Sequence, residues 1–272
     1  VTEEGPGRRF VSSRRAGIRM HTRDDTRAMS VALFQMTDYG EPEKNIARAR
    51  DAIAECCADF FVLPEFFAFP GGDHRRAYSL EEAYALVGKP ALEMLTEASA
   101  GFPGYLVGGT VLEKSSHGYH NTCFVLRRGE LIARHHKINL TQGEVSMGLL
   151  PGTEAVTFDS EWGRIGLLVC LDVCGPVRDE IGPLCDIVFF PIGMSMPDHP
   201  ELEGDPVSTD FAQRYGVTVV KVSRAGVFDG EPLVTPSSIV TPRGIEWLAS
   251  DQGEDFAVVG LEGGRVVSHG VR

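Results

Sequence analysis

The chain has 272 residues, 43% of them apolar and 24% charged, a composition that supplies a sizeable core and excludes disorder along the whole length. Its formal net charge of −12 repels phosphate backbones and anionic lipid, so neither nucleic acid nor a membrane is an expected partner, and no apolar run approaches the roughly 20 residues that span a bilayer. The six cysteines (Cys56, Cys57, Cys123, Cys170, Cys174, Cys185) lack the regular short spacing of a disulfide framework, so they read as reduced thiols and the expected compartment is the cytoplasm.

Residues 1–28 carry seven arginines, and "SSRRAGI" faintly matches a twin-arginine export signal. The following "RMHTRDDTRAM" is not the apolar stretch such a signal needs, so a solvated basic tail over 1–28 is expected before one domain over 29–272, with Met20 and Met29 both candidate starts. "SVALFQM" then reads as a strand, and "PEKNIARARDAIAECC" as a helix with Ile46, Ala49, Ile53 and Cys57 at helical spacing. "FFVLPE" is a strand ending in a charge, and "SLEEAYALVGKPALEMLTEAS" opens on the Ser79–Glu82 spacing of a capping box.

From there the rhythm changes. "GYLVGGTVLE", "HNTCFVLRRGELIARHHK" and "AVTFDSEWGRIGLLVC" read as strands joined by turns, with "RRGE" a hairpin loop and no helix between them. After Cys170 come a helix near 177–185, the strand "DIVFFP", a helix near 207–215, the strand "VTVVKVS" and a closing meander. This mixture predicts α/β layers, with helices outside and sheet inside.

Four side chains capable of chemistry terminate apolar strands or follow them closely: Glu65, Lys137, Glu144 and Cys170. Singly, each also fits a structural role, as loop carboxylate, basic strand end, turn residue or small buried thiol. Jointly they supply what cleavage of an amide or nitrile through a covalent intermediate requires: a thiol, a carboxylate base that activates it, and a cation for the oxyanion.

The chain resembles the nitrilase superfamily of carbon–nitrogen hydrolases from about residue 29 to its end. The resemblance rests on "ADFFVLPEFF", "GELIARHHKINL" and "GRIGLLVCLDVCGP", in the family's order and at similar spacing, supported by "YHNTCFVL", "PGTEAVTFDSEWG", "VVKVSRAG" and "SSIVTPRG". It implies a four-layer αββα sandwich of two mixed sheets flanked by helices. It further implies hydrolysis of a small linear amide or N-carbamoyl compound with ammonia release through a Cys170 thioester, no cofactor, and a homodimer or larger homo-oligomer. Carried over by position, it makes Glu65 the general base, Cys170 the nucleophile, Lys137 the oxyanion partner with the Leu171 backbone N–H, and Glu144 the residue that orients Lys137 and the substrate.

Departures cluster after the nucleophile, where Leu171 replaces a frequent aromatic and Gly175-Pro176-Val177 replaces a frequent Phe-Pro-Glu. They leave the four residues intact and put the substrate in doubt. Candidate pocket residues are Phe66, Phe67, Arg178, Met194, Ser195 and His199. For Arg178 the alternative is an ion pair with a surface acid such as Asp179 or with a neighbouring helix, and Asp172 reads as a structural loop carboxylate. Zinc at Cys170, Cys174, Cys185, His135 and His136 would lack the paired close spacing such sites prefer, so no metal is expected. Nitrile hydrolysis, acyl transfer to an amine, and a non-catalytic scaffold on the same fold remain as alternatives.

Overall fold

The computed structural model describes residues 28–71, 78–193, 205–228, 231–233, 235–249 and 253–271. The expected N-terminal tail lies, up to residue 27, outside the described residues. The first half comprises β1 (Met29–Gln35), α1 (Pro42–Ala54), β2 (Phe60–Val62), α2 (Leu80–Ala83), a π turn (Tyr84–Gly88), α3 (Lys89–Gly101), β3 (Tyr105–Val107), β4 (Val111–Lys114), β5 (Tyr119–Arg127) and β6 (Glu130–His136). Then follow α4 (Gln142–Met147), β7 (Thr157–Ser160), β8 (Gly163–Leu167), a 3₁₀ turn (Cys170–Cys174), α5 (Val177–Ile181), a second 3₁₀ turn (Gly182–Leu184), β9 (Ile187–Ile192), α6 (Pro206–Tyr215) and β10 (Thr218–Ser223). The chain closes on β11 (Val227–Phe228), β12 (Glu231–Pro232), β13 (Ser238–Thr241), β14 (Gly244–Leu248), β15 (Asp255–Glu262) and β16 (Arg265–Val271).

Among the described residues two mixed sheets carry the fold. One runs β16-β15-β1-β2-β3-β5-β4 with β6 added on β5, and the other β14-β13-β10-β9-β8-β7. Their centres are parallel: β1, β2 and β3 in the first, β8, β9 and β10 in the second. Parallel strands covered on both faces must be apolar throughout, which is why "FFV" of β2 and "IVFFPI" of β9 are continuous apolar runs with every residue buried.

Side-chain alternation then distributes these residues between layers. Phe60 and Val62 enter the core between the sheets, where the Phe60 ring lies 5.0 Å from Phe189 of β9. Phe61 and Leu63 enter the core under α1 and α3, beside Ala49, Ile53, Ala91 and Leu95. Val177 and Ile181 of α5 with Phe211 and Ala212 of α6 cover the second sheet. The result is the four-layer αββα sandwich. No helix among the described residues is long and apolar enough to cross a membrane.

Several sequence expectations are corrected in detail. "GYLVGGTVLE" is two strands, β3 and β4, because Gly109 turns the chain at φ 56° against Pro64, whose carbonyl oxygen a Cβ there would meet at 2.0 Å. Cys57 leaves the apolar face of α1, since the helix ends at Ala54, and it is Cys56 that is buried. The stretch expected to hold strands only contains α4. Its start is a capping box in which Thr141 Oγ1 accepts from Glu144 N (3.2 Å) and the Glu144 carboxylate accepts from Thr141 N (2.8 Å). The capping box expected at Ser79 and Glu82 forms as read.

Candidate active site

Three strand ends bring the expected side chains together. β2 leads through Leu63-Pro64 to Glu65, β6 ends one residue before Lys137, and β8 leads through Leu168-Val169 to Cys170. The first two belong to one sheet and the third to the other, so the site sits where the two sheets face each other at their carboxyl ends. Backbone bonds fix these exits: Leu63 N donates to Val107 O (3.0 Å), Lys137 N to Asn121 O (2.8 Å), and Leu168 N to Phe189 O (3.1 Å).

Two of these exits use left-handed backbone at residues that carry a side chain. Phe66 has φ 47° and Cys170 φ 45°, conformations that cost on the order of 1–3 kcal/mol and persist only when their surroundings over-determine them. For Phe66 the determinants are visible: its N–H donates to Thr110 Oγ1 (2.9 Å), and the buried Arg224 guanidinium donates to the carbonyls of Phe66 (3.2 Å) and Phe69 (2.7 Å). Burial lowers Arg224 to about 10, against the opposing charges of Asp38 and Glu65.

The centre is a closed polar knot. Lys137 Nζ donates to Glu65 Oε1 (2.8 Å) and to Glu144 Oε2 (2.8 Å), with the lysine fully buried and both carboxylates nearly so. Asn121 Nδ2 in β5 bridges the same two carboxylates, at 2.8 Å from Glu65 Oε1 and 2.6 Å from Glu144 Oε1. Among the described residues Glu65 Oε2 is buried with no N–H or O–H partner, and the Cys170 thiol lies within hydrogen-bonding reach of the Glu65 carboxyl group.

Charge follows from this packing. Burial raises Glu65 above the ordinary carboxylate range, opposed by the Lys137 charge and reinforced by Glu144. On Lys137, burial works to lower the pKa, but Glu65, Cys170 and Glu144 outweigh it and hold the ammonium charged. Burial pushes the Cys170 thiol well up, the Glu65 charge pushes it further, and Lys137 opposes both. At rest the centre therefore holds a neutral thiol beside a carboxyl group whose proton affinity burial has raised.

The pocket candidates separate. Phe66 is partly buried against Ala83, Leu112 and Leu149, its ring edge-on to Phe69 at 5.2 Å. Phe67 does not join it: the ring is buried in the core beneath α1 and α3, because the left-handed turn at Phe66 sends the next side chain into that layer. Arg178 is also turned away, pairing with Asp210 of α6 (2.5 Å) with its guanidinium 5.5 Å from the Phe211 ring. Leu171 packs its side chain against the inter-sheet core while its backbone stays beside the thiol. Met194, Ser195 and His199 lie outside the described residues.

Asn121 is the site residue that sequence reasoning missed. Its signal was a carboxamide inside the apolar strand "YHNTCFVL", since a buried amide in such a run requires polar partners. Among the described residues no group of three or more His, Cys, Asp or Glu side chains is arranged to hold a metal ion.

Known proteins share the family and the fold of this chain. The family model described as carbon-nitrogen hydrolase matches residues 30–176, which include all four side chains of the centre. Hydrolase C26A3.11 of Schizosaccharomyces pombe is 28% identical over 184 residues, covering 61% of this chain and 56% of that protein. Omega-amidase NIT2 of Homo sapiens is 32% identical over 155 residues, covering 53% and 55%. The chain thus spans about half the length of the curated relatives it matches. The crystal structure of Saccharomyces cerevisiae Nit3, a member of branch 10 of the nitrilase superfamily, superposes with a TM-score of 0.71 at 24% identity, covering 87% of this chain and 91% of that one. That last likeness is one of fold.

Proposed function

The chain belongs to the carbon-nitrogen hydrolase family of the nitrilase superfamily, and from that premise we propose that it hydrolyses a small linear amide or N-carbamoyl compound through a thioester on Cys170, releasing ammonia. The observation that carries this reading is the burial of one thiol, one ammonium and two carboxylates within a single hydrogen-bonded centre. A merely structural ion pair would need neither the thiol nor a Glu65 oxygen left without an N–H or O–H partner.

In this reading the thiol proton passes to Glu65 Oε2 as Sγ attacks the carbonyl carbon. A neutral buried thiol is a poor nucleophile, so the transfer accompanies the attack and avoids a free thiolate. Negative charge then develops on the carbonyl oxygen, where Lys137 Nζ and the Leu171 N–H stabilise it. Glu65 returns the proton to the departing nitrogen, the C–N bond breaks, ammonia leaves and the acyl group remains on sulfur. Glu65 next deprotonates a water that attacks the thioester, and collapse of the second tetrahedral species gives the carboxylic product and restores the thiol. The raised pKa of Glu65 suits a group that must both take and give a proton during turnover. Glu144 and Asn121 hold Lys137 and Glu65 in register throughout.

The omega-amidase relative supports ω-amides as the first substrates to test. Ammonia release is measured with glutaramate, N-carbamoyl amino acids and aliphatic nitriles, with Cys170→Ala beside the wild type. Release from the amides or carbamoyl compounds that disappears in Cys170→Ala is expected. Release from nitriles alone, or release that survives the substitution, contradicts the reading.

A further inference from the structure

We propose that Asp172 and His135 form a positioning pair that sets the distance between the Cys170 thiol and the Lys137 ammonium; this rests on the reading that those two groups act in one reaction. Asp172 lies two residues past Cys170 and is fully buried. Its Oδ2 accepts from Val169 N (3.0 Å) and His135 Nε2 (2.8 Å), and its Oδ1 from Ile138 N (3.0 Å) and Asn139 N (2.8 Å). Val169 immediately precedes the nucleophile. Ile138 and Asn139 immediately follow Lys137, and His135 stands two residues before it. One carboxylate therefore ties the chain on both sides of Lys137, from the first sheet, to the turn that carries Cys170, from the second.

Both tied groups need such a fixture. Cys170 holds a left-handed backbone that something must enforce, and Lys137 carries its charge on a flexible stem whose root must not drift. A second tie runs parallel, as Asn139 Nδ2 donates to Leu171 O (3.2 Å). Gly175 makes room for it, because a Cβ there would lie 1.5 Å from that nitrogen.

Among the described residues the His135 side chain has no other polar partner. Its ring is fully buried, and Nδ1 makes no hydrogen bond, so the single polar act of the side chain is the bond from Nε2 to Asp172. A ring kept only to fill space would gain from being apolar, since the buried lone pair on Nδ1 goes unmatched. The donor is what the site retains.

The test compares His135→Leu and Asp172→Asn with His135→Gln, whose amide nitrogen reaches the position of Nε2. With glutaramate, the first two are expected to lose about 10- to 100-fold in kcat per folded molecule at little-changed KM, the scale on which loss of an orienting partner acts. His135→Gln is expected to recover to within about threefold of wild type, because it keeps the donor. Alkylation of Cys170 by iodoacetamide, which needs no turnover, is expected to follow the same order. If the first two variants do not fold, Asn139→Ala supplies a milder displacement with a smaller loss of kcat in the same direction.

Wild-type kcat in folded His135→Leu or folded Asn139→Ala, or His135→Gln no better than His135→Leu, overturns the proposal. A wild type silent on every substrate would instead count against the hydrolase reading, and the alkylation rates would still decide the positioning role.

Discussion

Replacing Lys137 by methionine removes the only charge that Glu65 and Glu144 share across a bond, while leaving a side chain of similar reach. Each carboxylate stands 2.8 Å from Nζ, and both are at most 5% exposed. At an effective dielectric near 20 and this separation, each contact carries a gross attraction on the order of 6 kcal/mol, and breaking such a buried pair costs about 3–5 kcal/mol net. In a domain of this size that is a fall in Tm of roughly 6–20 °C.

The size of the fall depends on pH, and its direction follows from Glu65. Burial already raises this carboxyl, and Lys137 is the main group lowering it, so the variant raises it further. The folded variant then keeps a proton that the unfolded chain gives up, and its stability declines as pH rises from the ordinary carboxylate range through the raised value. The deficit relative to wild type is therefore smaller at pH 5 than at pH 8. Turnover falls at the same time by about 10²–10³-fold, as on loss of an oxyanion donor. Thermal denaturation of both proteins at the two pH values, with ammonia release at pH 8, reads all three effects. An equal deficit at both pH values, or turnover within tenfold of wild type, would refute the reasoning.

Two further substitutions separate the centre from its surroundings. Asn121→Leu withdraws one N–H from each carboxylate, and about 1–3 kcal/mol of stability with roughly a tenfold loss of kcat is expected by denaturation and ammonia assay. Arg178→Ala, which removes the pair with Asp210 and the guanidinium over the Phe211 ring and touches none of the central four side chains, should leave kcat and KM within about twofold of wild type at a cost of about 1 kcal/mol.

Legibility in the sequence tracked local signals. Glu65, Lys137 and Cys170 were visible because a reactive side chain ending an apolar strand is rare, and three such ends in order are rarer. The α/β layering was readable from the mixture of strand and helix segments, and the four-layer order from the family resemblance. What the sequence hid depended on contacts between distant segments. Asn121 has meaning only once β5 lies between Glu65 and Glu144. Phe67 leaves the pocket candidates for the core because a left-handed turn at Phe66, which no pattern of apolar residues announces, interrupts the strand alternation. Arg178 was ambiguous until α6 supplied Asp210. By contrast α4 was locally signalled, since "TQGE" has the Thr-x-x-Glu spacing of a capping box; it was obscured because the same glutamate also reaches Lys137.

The central claim is that the acyl group passes through sulfur. The most direct measurement mixes the protein with excess glutaramate, quenches in acid within one turnover, and determines the mass of the Cys170 peptide. The account predicts that peptide heavier by the acyl group, the adduct labile to hydroxylamine and absent in Cys170→Ala. Ammonia released at the wild-type rate with no adduct on Cys170 under any quench time would contradict it.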